Sequence, residues 1–346
     1  MTHMRNVVRS LALPLLVAAA LCPSCMLHAQ STYQVINQWK IGGDGFWDYM
    51  AVDPAAHRLY ITHGMKVDVV DTNSGKVVGQ VTGLHGIHGV ALDPDGKLGY
   101  ISDGGGNAVV VFDRSNLSTV ATIPAGTNPD AILYEPATHT VWAFNGRSHD
   151  ATVIDTSTRK VVATIALPGK PEFAQADGKG NVYGNIEDKN EIVHLDAHTK
   201  KLVDTWPIGC ESPSGLSLDN DQHRLFSVCD GKKMAITDAE TGKQLGTAAI
   251  GDGPDAAAFD ARNKVAFASC GEGVLSVVNA AESGYNTVQN VETQRGARTM
   301  AYDPENDRIY LVTAQFGPRP AATAENPHPR PALVPGSFTV IVVGRK

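Results

Sequence analysis

The chain repeats itself seven times. Seven short apolar runs each lead into an acid: "WDYMAVDP", "IHGVALDP", "PDAILYEP", "PEFAQADG", "PSGLSLDN", "PDAAAFDA" and "ARTMAYDP". The anchor acids are Asp53, Asp93, Glu135, Asp177, Asp219, Asp260 and Asp303, spaced 40 to 43 residues apart. Six or seven residues beyond each anchor stands an aromatic: Tyr60, Tyr100, Trp142, Tyr183, Phe226, Phe267 or Tyr310. Six units then carry a β-rich run that ends in Asp71, Asp113, Asp155, Asp196, Asp238 or Asn279. A turn such as "TNSGK" and a further strand such as "KVVATI" follow. Four short strands separated by turn residues, in a unit of this size, make one blade of a β-propeller. The expected fold is therefore an all-β, seven-bladed propeller of four-stranded antiparallel blades.

The last unit ends the chain after "GSFTVIVVG" and lacks a fourth strand. Residues 33–41, "YQVINQWKI", resemble the fourth strands "KVVGQV" and "KLVDTWPI". Pairing this segment into the last blade would close the ring and cover an otherwise open edge. Residues 30–346 are thus expected to form one domain. A Pro-rich loop, residues 315–335, lies within the last blade.

The first thirty residues read differently. Two arginines precede the 12-residue apolar run "LALPLLVAAALC", and "MLHAQ" offers a small residue, Ala29. This is the pattern of a secretory signal peptide over residues 1–29, and the run is too short for a stable membrane-spanning helix. A periplasmic or secreted location is expected, with no transmembrane segment in the mature chain. Cleavage would remove Arg5 and Arg9 but no acid, moving the formal charge from −7 to −9. That balance disfavours general binding of nucleic acid. Three cysteines would remain, Cys210, Cys229 and Cys270, so at least one thiol is left over or pairs between chains. Pairing of Cys210 with Cys229 inside one blade is more plausible than pairing of Cys229 with Cys270 across two. Burial of these residues as small apolar side chains is an equal alternative.

The units resemble the YVTN family of β-propeller repeats, and the whole chain resembles the YncE-like exported seven-bladed propellers. The residues that carry the resemblance are "RLYITH" (58–63), "LGYISD" (98–103), "RIYLVT" (308–313) and strand–turn–strand segments of the type "VVDTNSGKVV". The resemblance implies the propeller fold. It does not imply a function, because propellers host binding, structural and enzymatic roles.

Repetition separates structural from functional positions. The anchor acids recur in every unit and suit a turn in which a carboxylate caps backbone N–H groups. Five residues before each anchor the identity changes instead: Asp48, His88, Asp130, Glu172, Ser214, Asp255 and Arg298. The blade tolerates acid, imidazole, hydroxyl and guanidinium there, so it does not require any of them. This position opens the innermost strand, beside the central channel. His63, Asn145 and Trp47 are expected at the same face, and Tyr49, Phe173 and the Pro-rich loop at its rim.

Two chemistries suit such a mouth. The first is a divalent metal ion held by Asp130, Glu172 and Asp255, since carboxylates suit hard cations and an added imidazole suits zinc. His85 and His88 form an H-x-x-H pair, but at a loop-to-strand junction and without the helical geometry that gives such motifs their weight. The second is catalysis as a metal-dependent hydrolase or lyase, with His88 as general base and Arg298 holding an anionic group. There is no G-x-S-x-G elbow, P-loop or haem-attachment motif. The favoured expectation is a non-catalytic binding or scaffolding module. Its polar mouth would take a small ligand, an ion or a protein partner.

Overall fold

The computed structural model describes residues 1–2, 32–281, 284–323 and 329–346. The signal-peptide segment lies outside the described residues except for Met1 and Thr2. The chain divides into Met1–Ser31 and Thr32–Lys346, and the second unit is the propeller. Among the described residues it contains seven four-stranded antiparallel sheets. None of the described residues forms a helix long and apolar enough to cross a membrane.

Each blade is a meander of four strands. In blade 1 these are Trp47–Asp53, Arg58–His63, Lys66–Asp71 and Val77–Val81, paired in that order from the channel outward. The innermost strands of blades 2 to 7 are Ile87–Leu92, Pro129–Glu135, Pro171–Ala176, Leu216–Asp219, Pro254–Asp260 and Met300–Asp303. The ring closes as expected from the sequence. Tyr33–Lys40 pairs antiparallel with Thr339–Arg345 and becomes the outermost strand of blade 7. Gln289 of blade 6 fastens the closing strand, accepting from the Tyr33 N–H at 3.0 Å and donating to the Tyr33 carbonyl at 2.6 Å.

The anchor acids do what the repeat requires. All seven accept backbone N–H groups of the following turn, as in Ala56 N–H to Asp53 and Lys97 N–H to Asp93. The acids that end the third strands cap their turns in the same way. The recurring aromatic sits on the second strand and is buried in every blade. Apolar side chains of neighbouring blades meet there, so the core is a ring of inter-blade layers. Burial of one such ring removes enough apolar area to contribute about 2–3 kcal/mol.

Arg114 ties blade 2 to blade 1. Its buried guanidinium pairs with Asp53 and donates to the Asp93 carbonyl at 2.8 Å. Cys210 and Cys229 form a disulfide within blade 5, and Cys270 is free and buried.

Candidate functional site

The channel-facing position owes its geometry to a backbone irregularity. In five blades the pairing of the innermost strand slips where that strand begins. The slips fall between Trp47 and Met50, Ile87 and Val90, Pro129 and Ile132, Pro171 and Ala174, and Pro254 and Ala256. They bracket Asp48, His88, Asp130, Glu172 and Asp255. A β-bulge re-aims a side chain and ends local pairing, so each blade can turn one polar group out of its own ladder. In blades 5 and 7 the innermost strand starts later, at Leu216 and Met300, leaving Ser214 and Arg298 in the preceding segment.

Buried polar side chains on the second strands clamp these bulges. Thr62 accepts from the Asp48 N–H at 3.1 Å and shares its hydroxyl proton between the Tyr49 carbonyl at 2.9 Å and the carbonyl of His88 in the next blade at 3.2 Å. Ser102 accepts from the Gly89 N–H at 2.8 Å and donates at 2.5 Å to the carbonyl of Asp130. Asn185 donates to the Ser214 carbonyl at 2.8 Å, and Ser269 donates to the Arg298 carbonyl. Each clamp joins one blade to the site position of the following blade. The sequence carried a signal for this, since Thr62, Ser102 and Ser269 each lie nine residues beyond their anchors.

The side chains fall into three charge groups. His88 stands between two acids, with Nδ1 at 2.8 Å from Asp48 Oδ2 and 3.8 Å from Asp130 Oδ1. Lys170 lies 2.6 Å from Glu172 and also pairs with Glu187. Arg298 Nε lies 3.5 Å from Asp255 Oδ2. Tyr49 and Phe173, from blades 1 and 4, meet edge to face at 4.9 Å and span the channel between them. Tyr49 is buried, so it packs inside the mouth and does not form its exposed rim.

Burial and neighbouring negative charge raise Asp130, Glu172, Asp255 and His88. Burial raises Asp255 to about 6, against the pull of Arg298. Burial likewise pushes Asp130 up, opposed by His88, and pushes Glu172 up with help from Asp130. For His88, burial pulls down, but the hydrogen bond to Asp48 and the charges of Asp130, Asp48 and Glu172 outweigh it and raise the imidazole to about 9. Burial and the same carboxylates also push the Tyr49 hydroxyl well above its ordinary range.

Several expected site residues are placed elsewhere. Asp130, Glu172 and Asp255 do not form one ligand set. Lys170 and Arg298 take up the last two, and among the described residues only Asp48, His88 and Asp130 bring ligand atoms within 4.8 Å of one another. His63 is buried, bonded to Asp68 at 2.8 Å and stacked on Phe338 at 4.1 Å. Asn145 is buried too, donating to Asp150 at 2.6 Å and to Thr152 at 2.9 Å. Both side chains hold their own blade and do not face the channel. Trp47 is half-buried against Phe338 and borders a separate cavity with Arg298 and the base of the Pro-rich loop. With Asp48 and Asp130 beside it and no cation bound, the raised His88 imidazole suits giving a proton more than the expected role of general base. Lys170 was not legible as a site residue, because nothing in the repeat marks the residue before the Pro-Glu step.

No protein-family model matches the chain. The uncharacterized protein YncE of Salmonella typhi is 30% identical over 149 residues, covering 41% of this chain and 42% of that protein. Antigen Lp49 of Leptospira interrogans is 25% identical over 282 residues, covering 72% of this chain and 60% of that protein. The chain therefore matches less than half the length of the YncE relative. Among solved structures, the WD40 repeats of RRP9 superpose with a TM-score of 0.73 at 10% identity, covering 91% of this chain and 97% of that one. Hydrazine synthase of Kuenenia stuttgartiensis superposes with a TM-score of 0.67 at 17% identity, covering 76% and 91%. Likeness at such identity speaks for the fold alone. The fold is a seven-bladed β-propeller, and over part of its length the chain is similar in sequence to the uncharacterized protein YncE.

Proposed function

We propose that the chain is an exported binding module whose ligand site is the bulge-built channel mouth, and that the ligand is a divalent cation or a small molecule bearing a positive group. The observation that carries this reading is the repeated bulge. Five blades each give up ladder pairing to aim one polar side chain at the same space, and three of these, Asp48, His88 and Asp130, converge within 4.8 Å. Such local departures from regular pairing concentrate at functional sites. Two carboxylates and an imidazole suit Mn²⁺ or Zn²⁺, with open positions for ligand or water. Export rests on the signal-peptide pattern of residues 1–29, and mass determination of protein recovered from the periplasm checks it.

The test is calorimetric titration with Zn²⁺, Mn²⁺ and Ca²⁺ separately, on wild type and on Asp48→Asn/Asp130→Asn. Micromolar binding by wild type and its loss in the variant are expected. If none of the three ions binds, or if the variant binds like wild type, the triad is not the site. A metal-dependent hydrolase or lyase at the same mouth is the second reading, favoured by Arg298 beside the carboxylates. Hydrolysis of a broad ester and phosphoester panel that depends on the same two aspartates would select it over simple binding.

A further inference from the structure

Beside the acidic mouth lies a cavity of the opposite character. It encloses about 290 Å³ between blades 6, 7 and 1 and is lined by Phe46, Trp47, Arg295, Arg298, Phe316 and Arg330. Arg298 already has a carboxylate partner in Asp255. Arg295 and Arg330 pair with no carboxylate among the described residues. Three guanidinium groups around one small cavity repel one another unless an anion neutralises them. The walls are aromatic. Phe46 is 64% exposed, an unusual position for a ring with no covering partner. Trp47 and Phe316 are neighbours with tilted rings, centroids 6.3 Å apart, and Arg295 lies 6.0 Å from the Phe316 ring.

The cavity is built, not left over. The ends of the Pro-rich loop are zipped by hydrogen bonds from Gly317 N–H to the Ala332 carbonyl and from Val334 N–H to the Gln315 carbonyl, both 2.8 Å. This fixes Phe316 beside Trp47. The segment that carries two of the arginines is fixed as well. Thr313 donates to the Arg295 carbonyl at 2.8 Å, Gly296 N–H donates to the Gly271 carbonyl at 2.8 Å, and Ser269 holds the Arg298 carbonyl. Gly296 has φ +82°, and a Cβ there would come within 2.6 Å of Phe316, so only glycine lets the arginine segment approach the ring this closely.

We infer that this cavity is a binding site for a small organic anion, a carboxylate or phosphate carried on a single planar ring. The guanidiniums supply bidentate donors for the anionic group, and the Trp47, Phe316 and Phe46 rings supply faces for the planar body. A volume at the lower end of the range for ligand pockets suits a one-ring compound and excludes a dinucleotide. The inference goes beyond the cation site and does not depend on it, because none of the cavity residues belongs to the Asp48–His88–Asp130 cluster.

The probes are benzoate, phenyl phosphate, inorganic phosphate and uncharged benzamide, each titrated into the full-length processed protein and followed by calorimetry. At least one of the two aromatic anions is expected to saturate, with inorganic phosphate roughly tenfold or more weaker and benzamide without effect. The stronger of the two aromatic anions identifies the headgroup class. Arg295→Gln/Arg330→Gln should weaken that anion by roughly a hundredfold while the melting temperature stays near wild type, and Arg295→Lys/Arg330→Lys should recover part of the loss. Gly296→Ala, read alongside, should weaken the anion by displacing Phe316. The inference is overturned if neither aromatic anion saturates at millimolar concentration, if benzamide competes equally, or if the double glutamine variant binds like wild type.

Discussion

Replacing an acid of the mouth should make this protein more stable, and only at a pH where that acid is charged. Asp255 is the suitable probe, since it lies outside the proposed metal triad and its side chain is only 17% exposed. Its carboxyl is raised from the ordinary 3.8 to about 6, chiefly by burial. The folded state therefore holds the proton more tightly than the unfolded chain. Stability must then fall as pH rises from about 4 through about 6, and the whole penalty is present above that. At about 1.4 kcal/mol per pH unit the penalty is roughly 3 kcal/mol. Asparagine keeps the shape and cannot ionise. The raised value already includes the attraction of Arg298, so loss of that pair adds no further cost. Asp255→Asn should thus gain about 3 kcal/mol at pH 8 and nothing near pH 4. For a chain of this size the gain corresponds to a melting temperature roughly 5 °C higher at pH 8. Thermal melts of both proteins at pH 4 and pH 8, followed by circular dichroism, measure it. A variant that melts with wild type at pH 8, or that gains equally at both pH values, would show that Asp255 is not held in a penalising site.

Three further outcomes follow from the scaffold. Arg114→Met should cost about 3–5 kcal/mol, because it strands the buried Asp53 carboxylate, and adding Asp53→Asn should recover much of that; equal denaturation midpoints for the single and double variants would remove the stranded charge as the cause. The Cys270 thiol is buried, which pushes its pKa up to about 12, so iodoacetamide at pH 8 should label Cys270 in denaturant but not in the native protein; peptide mapping that finds native labelling contradicts this burial. The Cys210–Cys229 bridge closes a loop of sequence separation 19, so Cys210→Ser/Cys229→Ser should lower stability by about 3 kcal/mol, and an unchanged urea midpoint would mean that the disulfide contributes nothing.

The fold was legible because its information is repeated. Seven anchor acids and seven buried aromatics recur at one spacing, and the spare strand at residues 33–41 matches the strand that blade 7 lacks. The site was legible only in part. Comparing units singled out one backbone position, and Asp48, His88, Asp130, Glu172 and Asp255 all sit there at pairing irregularities of the innermost strands. It could not show which of them would pair. Lys170 and Arg298 withdraw Glu172 and Asp255 from a ligand set, and both pairings depend on side-chain reach, which repeat alignment does not encode. His63 and Asn145 misled for a related reason. Each ends a second strand on the expected face, but Asp68 in one case and Asp150 in the other stand on the adjacent third strand and bond to them. A polar residue at a strand end is drawn into the ladder whenever its cross-strand neighbour is complementary.

The same comparison explains how the residue at the channel-facing position can vary from blade to blade without loss of the fold. The structural demands of each blade are met at the anchor, at the third-turn acid and at the buried aromatic, all of them away from the channel mouth. At four of the seven positions, His88, Asp130, Ser214 and Arg298, the carbonyl is held by Thr62, Ser102, Asn185 or Ser269, a bond that every residue's backbone can make. The blade therefore does not dictate which side chain stands there. Losing a clamp has the opposite consequence. Ser102→Ala would leave the Gly89 N–H and the Asp130 carbonyl without their shared partner at two neighbouring bulges, at a cost of about 1–3 kcal/mol, and would loosen Asp130 and His88 together. Metal titration of Ser102→Ala should then show weakened affinity although every proposed ligand is intact. Unchanged affinity in a correctly folded variant would mean that the bulges hold their side chains without the clamps, and that the ladder alone sets the geometry of the mouth.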